Sequence, residues 1–285
     1  MIYHEDDKEG LRNFLQQPSA NERKTNGEQL GLTIDDMSDW ENNEEWIPKI
    51  QSLVWNYDLR EILKAALVWN YDLPKRLIEV TFSSKLAGVL DASKWTKLTK
   101  LDCCWNEITE LNVSKNTELS ELFCTNNQLT NLDVSHNTAL TRLYCSGGNQ
   151  LTSLDVSNCT ELSELHCRGN QLTNLDVSKN LKLTSLYCLA NRLTSLDVSK
   201  NTELKELNCN SNFLTNLDVS KNTELEELHC NLNLLTSLDV SKNTELEEFE
   251  WNIDNFVKDV AIKNIDTDLE KTEKINPIIH EDMPF

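Results

Sequence analysis

The feature that most constrains this chain is a 21-residue phrase that recurs through its middle. Residues 119–139 read LSELFCTNNQLTNLDVSHNTA, and residues 204–224 read LKELNCNSNFLTNLDVSKNTE. Copies start at Leu77, Leu98, Leu119, Leu140, Leu162, Leu183, Leu204 and Leu225, with an incomplete ninth from Leu246. The copy at Leu140 is one residue longer, an excess accommodated at Gly147-Gly148. A unit this short cannot bury its own apolar residues, so successive units must stack and share one continuous core.

Each unit has two halves. The LxxLxC half alternates at period two and reads as a short strand, with Leu122 and Cys124 inward and Phe123 outward. The second half, LTxLDVSKNT, again turns its Leu and Val inward, and its Asp, Ser and Asn favour turns by bonding to nearby backbone. One strand per coil builds a parallel sheet; nine strands at roughly 4.8 Å spacing would span about 40 Å. The first copy departs from the phrase, with Phe82 at the Cys position, Lys85 at the Asn position and Trp95 at the second Asn position; the last has Trp251 at the Cys position.

Seven of the nine cysteines (Cys103, Cys124, Cys145, Cys167, Cys188, Cys209 and Cys230) recur with the repeat. Neither a disulfide framework nor a zinc site marches at the period of a structural unit, so these thiols read as small buried hydrophobes. Neighbouring side chains in such a ladder run parallel, which disfavours pairing between them. Two columns of asparagine accompany them. Asn106, Asn127, Asn149, Asn170, Asn191, Asn212 and Asn233 form the first, and Asn116, Asn137, Asn180, Asn201, Asn222 and Asn243 the second, where Cys159 replaces one member. A buried amide without partners is costly, so both columns are expected to bond to backbone of their own coil and the next.

The phrase LxxLxCxxNxLTxLDVSKNT at this period resembles the cysteine-ladder leucine-rich repeats of the internalin J-like bacterial surface proteins. The resemblance covers residues 77–256 and implies an α/β solenoid: a horseshoe with one short parallel strand per repeat, a convex side mostly of turns, and a small helical N-terminal cap. It also implies a secreted or surface-anchored, adhesin-like protein. The given chain shows no basic-then-apolar export signal after Met1 and no LPxTG-type anchor, so a cytoplasmic location stays open.

Residues 1–76 lie outside the repeat register and are expected to form the cap. Leu11, Phe14 and Leu15 sit at helical spacing, Asp35 to Trp40 can open a second helix, and Trp40, Trp46, Trp55 and Trp69 are expected to pack within the cap. VWNYDL occurs at Val54–Leu59 and again at Val68–Leu73, and Leu59, Ile62, Leu63, Ala66 and Leu67 between and within these copies suggest one helix. Residues 257–285 are expected to complete the last coil with Val260 and Ile262 and then to continue as a charged, partly disordered tail.

Acidic residues outnumber basic ones by 47 to 27, a formal net charge of -20. That balance argues against nucleic acid and anionic membranes, and the most apolar short run, Ile62 to Trp69, is too short to span a bilayer. No nucleophile elbow, phosphate loop or metal-ligand spacing is visible, and Cys104, expected to face outward beside Trp105, is a poor basis for catalysis. The reading is a non-enzymatic, monomeric binding module without cofactor or metal.

Its surface should lie on outward strand positions. The residue between Leu and Cys reads Thr81, Asp102, Phe123, Tyr144, His166, Tyr187, Asn208, His229 and Glu250 along the coils. Aromatic residues on a rigid sheet are the usual anchors of a binding face. Phe123, Tyr144, His166, Tyr187, Asn208 and His229, with Arg168 just beyond its Cys, are therefore the candidate contacts for a protein partner on the concave face. A glycan partner, an intracellular scaffold, and a ladder of rings that merely stack on each other are the alternatives. A parallel column carries Glu121, Glu164, Glu206, Glu227 and Glu248, interrupted by Lys100, Arg142 and Ser185. His166 and His229 stand three strands apart, on the order of 14 Å, too far to share a zinc ion.

Overall fold

The structure is a computed structural model that describes residues 86–251 continuously, the strands at 65–69, 77–82 and 261–263, and two helical residues, Glu9 and Asn13. Its centre is a ten-stranded sheet. Nine parallel strands run in sequence order: β2 (Leu77–Phe82), β4 (Lys100–Asp102), β6 (Glu121–Phe123), β7 (Arg142–Tyr144), β8 (Glu164–His166), β9 (Ser185–Tyr187), β10 (Glu206–Asn208), β11 (Glu227–His229) and β13 (Glu248–Glu250). Equivalent residues of adjacent repeats pair without slippage, for example Leu207 with Leu186 and Leu228. The fold is a parallel-strand leucine-rich-repeat solenoid. Its return limbs hold two short strand pairs, β3 (Ala87–Asp91) with β5 (Glu107–Asn112) and β12 (Ser237–Asp239) with β14 (Ala261–Lys263). Between those pairs the limbs are turns and extended backbone without helix.

The interior follows the repeat. Leu122, Cys124, Leu129 and Val134 illustrate one coil's inward set, and all seven ladder cysteines are fully buried and free. In the first coil two of the three departures face each other: Phe82 and Trp95 are buried with ring centroids 6.3 Å apart. Two large rings thus fill the volume that a thiol and an amide occupy elsewhere.

The asparagine columns differ from each other. In the first, Asn127 donates from Nδ2 to the carbonyls of Cys103 (2.8 Å) and Cys124 (3.1 Å) and accepts the Ile108 N–H on Oδ1 (3.0 Å). The neighbour it joins is therefore the preceding coil rather than the next. In the second column Asn137 Nδ2 donates to the carbonyls of Val113 (3.0 Å) and Asn116 (2.9 Å), but Oδ1 has no partner. The same holds at Asn116, Asn180, Asn201, Asn222 and Asn243. The orientation that carries the amide nitrogen to two carbonyls turns its oxygen to the side where the repeat supplies no donor, so this ladder is satisfied only in its donors. The solvent-side turns close as their residues suggest: the Ser135, Ser157, Ser178, Ser199 and Ser220 N–H groups each donate to the Asp two residues before, at 2.9 Å.

The N-terminal end departs from expectation. Ala66 and Leu67, read as helical, lie in strand β1 (Ala65–Trp69), which pairs antiparallel with β2. An apolar run beside an unpaired strand edge gains more backbone hydrogen bonds as a strand, and it covers that edge. At the other end β14 pairs Ile262 with Leu238, so backbone pairing runs beyond residue 256 as it does before residue 77. Pairing needs only main chain and tolerates loss of the consensus side chains. Glu9 and Asn13 are helical. The rest of the expected cap (Leu11, Phe14, Leu15, Asp35 to Trp40, Trp46, Trp55 and the Leu59–Leu63 segment), most of the VWNYDL copies and the tail beyond Lys263 lie outside the described residues.

Candidate functional site

Strands β6 to β11 place Phe123, Tyr144, His166, Tyr187, Asn208 and His229 in one straight row on the solvent face, because each is paired in register with its neighbour. Phe123 and Tyr144 have ring centroids 4.8 Å apart at 48°, Tyr144 and His166 are stacked at 4.1 Å and 1°, and His166 and Tyr187 lie at 4.5 Å and 48°. The rings are half-buried in one another, so the self-stacking ladder is real and only part of each ring faces solvent. Arg168 stands beyond its strand and is exposed.

Charge divides this face. At its start Glu121 is paired by Arg142 and by Lys100 (3.3 Å), and both cations also lie 5.5 Å from the Phe123 ring centroid. Burial pulls the Glu121 carboxyl up, but hydrogen bonds from Arg142 and Lys100 outweigh it and hold the group below its ordinary value. The Tyr144 hydroxyl donates to Glu164, and the Tyr187 hydroxyl to Glu206 at 3.2 Å. Burial first, then the adjacent carboxylate, pushes each phenol up to about 12. Burial lowers the pKa of His166 against the opposing pull of Glu164 and Glu206, which favours the neutral imidazole in the stack.

Toward the C-terminal end the cations stop. Glu206, Glu227 and Glu248 sit side by side on β10, β11 and β13, and no Lys or Arg pairs with them among the described residues. Burial, followed by the carboxylates of Glu206 and Glu248, raises the Glu227 pKa. His229 Nδ1 lies 3.0 Å from Glu250 and Nε2 3.9 Å from Glu248. The acidic column was legible in the sequence; its convergence on His229 was not, because it depends on strand register.

The thiols are unreactive by environment. Desolvation pushes Cys145, Cys188 and Cys230 up to about 12. Cys104 is half-buried, and burial together with Asp102 takes it to about 12 as well. Trp105 beside it is 72% exposed and holds φ 61°, the left-handed region that Gly148 and Gly169 occupy in the matching turns.

These features define the class: a leucine-rich-repeat protein with an internal cysteine ladder. The family model for leucine-rich repeats in two copies matches residues 138–180. The functional domain of InlJ from Listeria monocytogenes, which includes a cysteine ladder, is similar at 38% identity and a TM-score of 0.52, over 61% of this chain and 44% of that one. A leucine-rich-repeat protein of Leptospira interrogans shares the fold at 24% identity, TM-score 0.55, over 59% of this chain and 47% of that one. Internalin C2 of Listeria monocytogenes shares it at 17% identity, TM-score 0.52, over 61% and 80%. No curated protein matches the sequence. The alignment spans less than half of the InlJ and Leptospira structures. Over the aligned part the chain has the leucine-rich-repeat fold and is similar to the cysteine-ladder domain of InlJ. Folds of this kind are typically non-enzymatic scaffolds for protein–protein interaction, and internalin-like relatives are typically surface or secreted. No helix among the described residues is long and apolar enough to cross a membrane.

Proposed function

We propose that this chain is a non-enzymatic recognition module that binds a protein partner through the concave face of its sheet and works at the cell surface in an adhesin-like role. The observation that carries the reading is the row Phe123, Tyr144, His166 and Tyr187, stacked across four consecutive strands at positions that the repeat leaves free to vary. Inter-ring packing fixes the rotamers in advance, so a partner meets a preorganised apolar strip and little side-chain entropy is lost on binding. Arg168 flanks the strip, and Asn208 and His229 continue it with polar groups. The Tyr hydroxyls, already held by Glu164 and Glu206, are oriented acceptors for a donor from the partner.

The test is capture by the parent protein and by a variant with Tyr144→Ala, His166→Ala and Tyr187→Ala, matched by melting temperature. A protein retained by the parent and lost by the variant supports the reading. Equal retention overturns it, and a glycan retained in place of protein reassigns the partner class. Protease accessibility on intact producing cells checks the location: protection from protease would contradict a surface role.

A further inference from the structure

The phrase Glu-Leu-His occurs on two strands, and the two copies have different neighbours. On β8, Glu164 and His166 face Ser185 and Tyr187 of β9. On β11, Glu227 and His229 face Glu248 and Glu250 of β13. Residues two apart on a strand share a face about 6.6 Å apart, and registered neighbours lie about 4.8 Å away. The second copy therefore sets four ionisable side chains at the corners of one small rectangle, three of them carboxylates and one an imidazole.

The donors converge. One ligand atom each from Glu227, His229 and Glu248 falls within 4.8 Å of the other two. His229 is well covered, its side chain 14% exposed, while Glu248 remains open to solvent at 45%. The imidazole is also oriented: Nδ1 lies 3.0 Å from Glu250 Oε2, and Asn231 Nδ2 donates to that same oxygen at 3.2 Å. The other ring nitrogen, Nε2, lies 3.9 Å from Glu248 Oε1, too long for a hydrogen bond. A carboxylate behind an imidazole whose other nitrogen looks into a set of oxygens is the outer-shell arrangement of a metal-bound histidine. Bonds of about 2.1 Å place two ligands of a tetrahedral ion roughly 3.4 Å apart. Small rotations of exposed carboxylates reach that spacing.

We propose that Glu227, His229 and Glu248 form a site for a divalent transition metal of the zinc class, with Glu250 and Asn231 as the shell that orients His229. One imidazole and two carboxylates suit zinc and its borderline neighbours. Three protein ligands leave a coordination position for water or for a donor from a bound partner. The site adjoins the proposed binding strip, whose row His229 continues, but metal affinity does not require a partner.

Calorimetric titration of the full chain with zinc chloride tests this, with Cys104→Ser in every protein to remove the half-buried thiol. The parent should bind one ion. Glu248→Gln and His229→Gln should each weaken binding at least tenfold, and Glu250→Gln by about 10- to 100-fold, the range typical of outer-shell partners. His166→Gln, in the other Glu-Leu-His strand, should leave binding unchanged. Glu248 and Glu250 are exposed enough that their variants should fold, which a melting curve checks. No heat above buffer in the parent, or equal affinity in parent and Glu248→Gln, overturns the site.

Discussion

The interior of this solenoid and the solvent face of its sheet are built by alternating residues of the same three-residue strands, yet they obey different rules. In β10 Leu207 is fully buried and Cys209 follows it inward, a Leu and Cys pair kept in every coil from Leu101 and Cys103 to Leu228 and Cys230; the outward positions Glu206 and Asn208 change from coil to coil. The interior is constant because each coil packs on two near-copies of itself, so one altered side chain must fit two neighbours. The solvent face carries no such requirement. The contrast teaches that repetition specifies the scaffold and departure from repetition specifies what the scaffold presents.

The solvent face itself has two halves. Around Phe123 the carboxylate of Glu121 is neutralised by Arg142 and Lys100, and rings stack over the next three strands. Around His229 the carboxylates of Glu206, Glu227 and Glu248 meet no Lys or Arg among the described residues. One half offers apolar area, the other negative charge and metal-ligating atoms.

Changes inside should unfold coils, and changes outside should not. The largest effect is expected for Cys188→Asp, which places a charge at a fully buried position. A buried charge left without a partner costs about 3–5 kcal/mol, read as a lowered denaturation midpoint and lost hydrogen-exchange protection in β8 to β10. A variant that melted like the parent would break the comparison at once.

Next come the two asparagine ladders. Asn191 bonds to the carbonyls of Cys167 and Cys188 and accepts the Leu172 N–H. Asn201 bonds to two carbonyls, and its Oδ1 already lacks a partner. At about 1–3 kcal/mol for each buried group left unsatisfied, Asn191→Ala should destabilise more than Asn201→Ala. The reverse order in urea denaturation would mean that the second ladder's oxygens find partners.

A third, graded effect follows from the thiols. Cys145 and Cys188 lie near 12 in the folded chain against an ordinary 9.0. The unfolded thiols therefore ionise first as pH rises. The stabilisation is complete below pH 9.0 and declines between 9.0 and about 12 as the folded values are approached. Denaturation midpoints across that window should fall less steeply in a Cys145→Ala, Cys188→Ala variant. An undiminished slope would contradict buried, protonated thiols.

The smallest effect belongs to the surface. Arg142→Gln removes a partly exposed pair with Glu121 and should cost less than about 1 kcal/mol. A loss as large as that of an interior asparagine would erase the distinction between face and core.

Much of this architecture was legible in the residues. The strand Glu121–Phe123, the buried thiols, the first asparagine ladder and the row from Phe123 to His229 all follow from a 21-residue period combined with a two-residue alternation. Three things were not. The strand Ala65–Trp69 has no repeat register, and its apolar run reads equally as helix until an open sheet edge is there to pair with. The unpartnered Oδ1 of Asn137 depends on an amide orientation that composition does not fix. The Glu227, His229 and Glu248 cluster joins residues two apart to one 21 positions away, a spacing that means nothing before the strands are aligned.

The most direct test of the central claim compares two surface variants that are both expected to fold. One carries Tyr144→Ala, His166→Ala and Tyr187→Ala; the other carries Glu206→Gln, Glu227→Gln and Glu248→Gln. Each is titrated, at matched melting temperature, with the partner that the parent captures. Loss of binding in the aromatic variant with retention in the acidic one is the predicted result. Binding that survives the first set and fails with the second would contradict the assignment of recognition to the stacked rings.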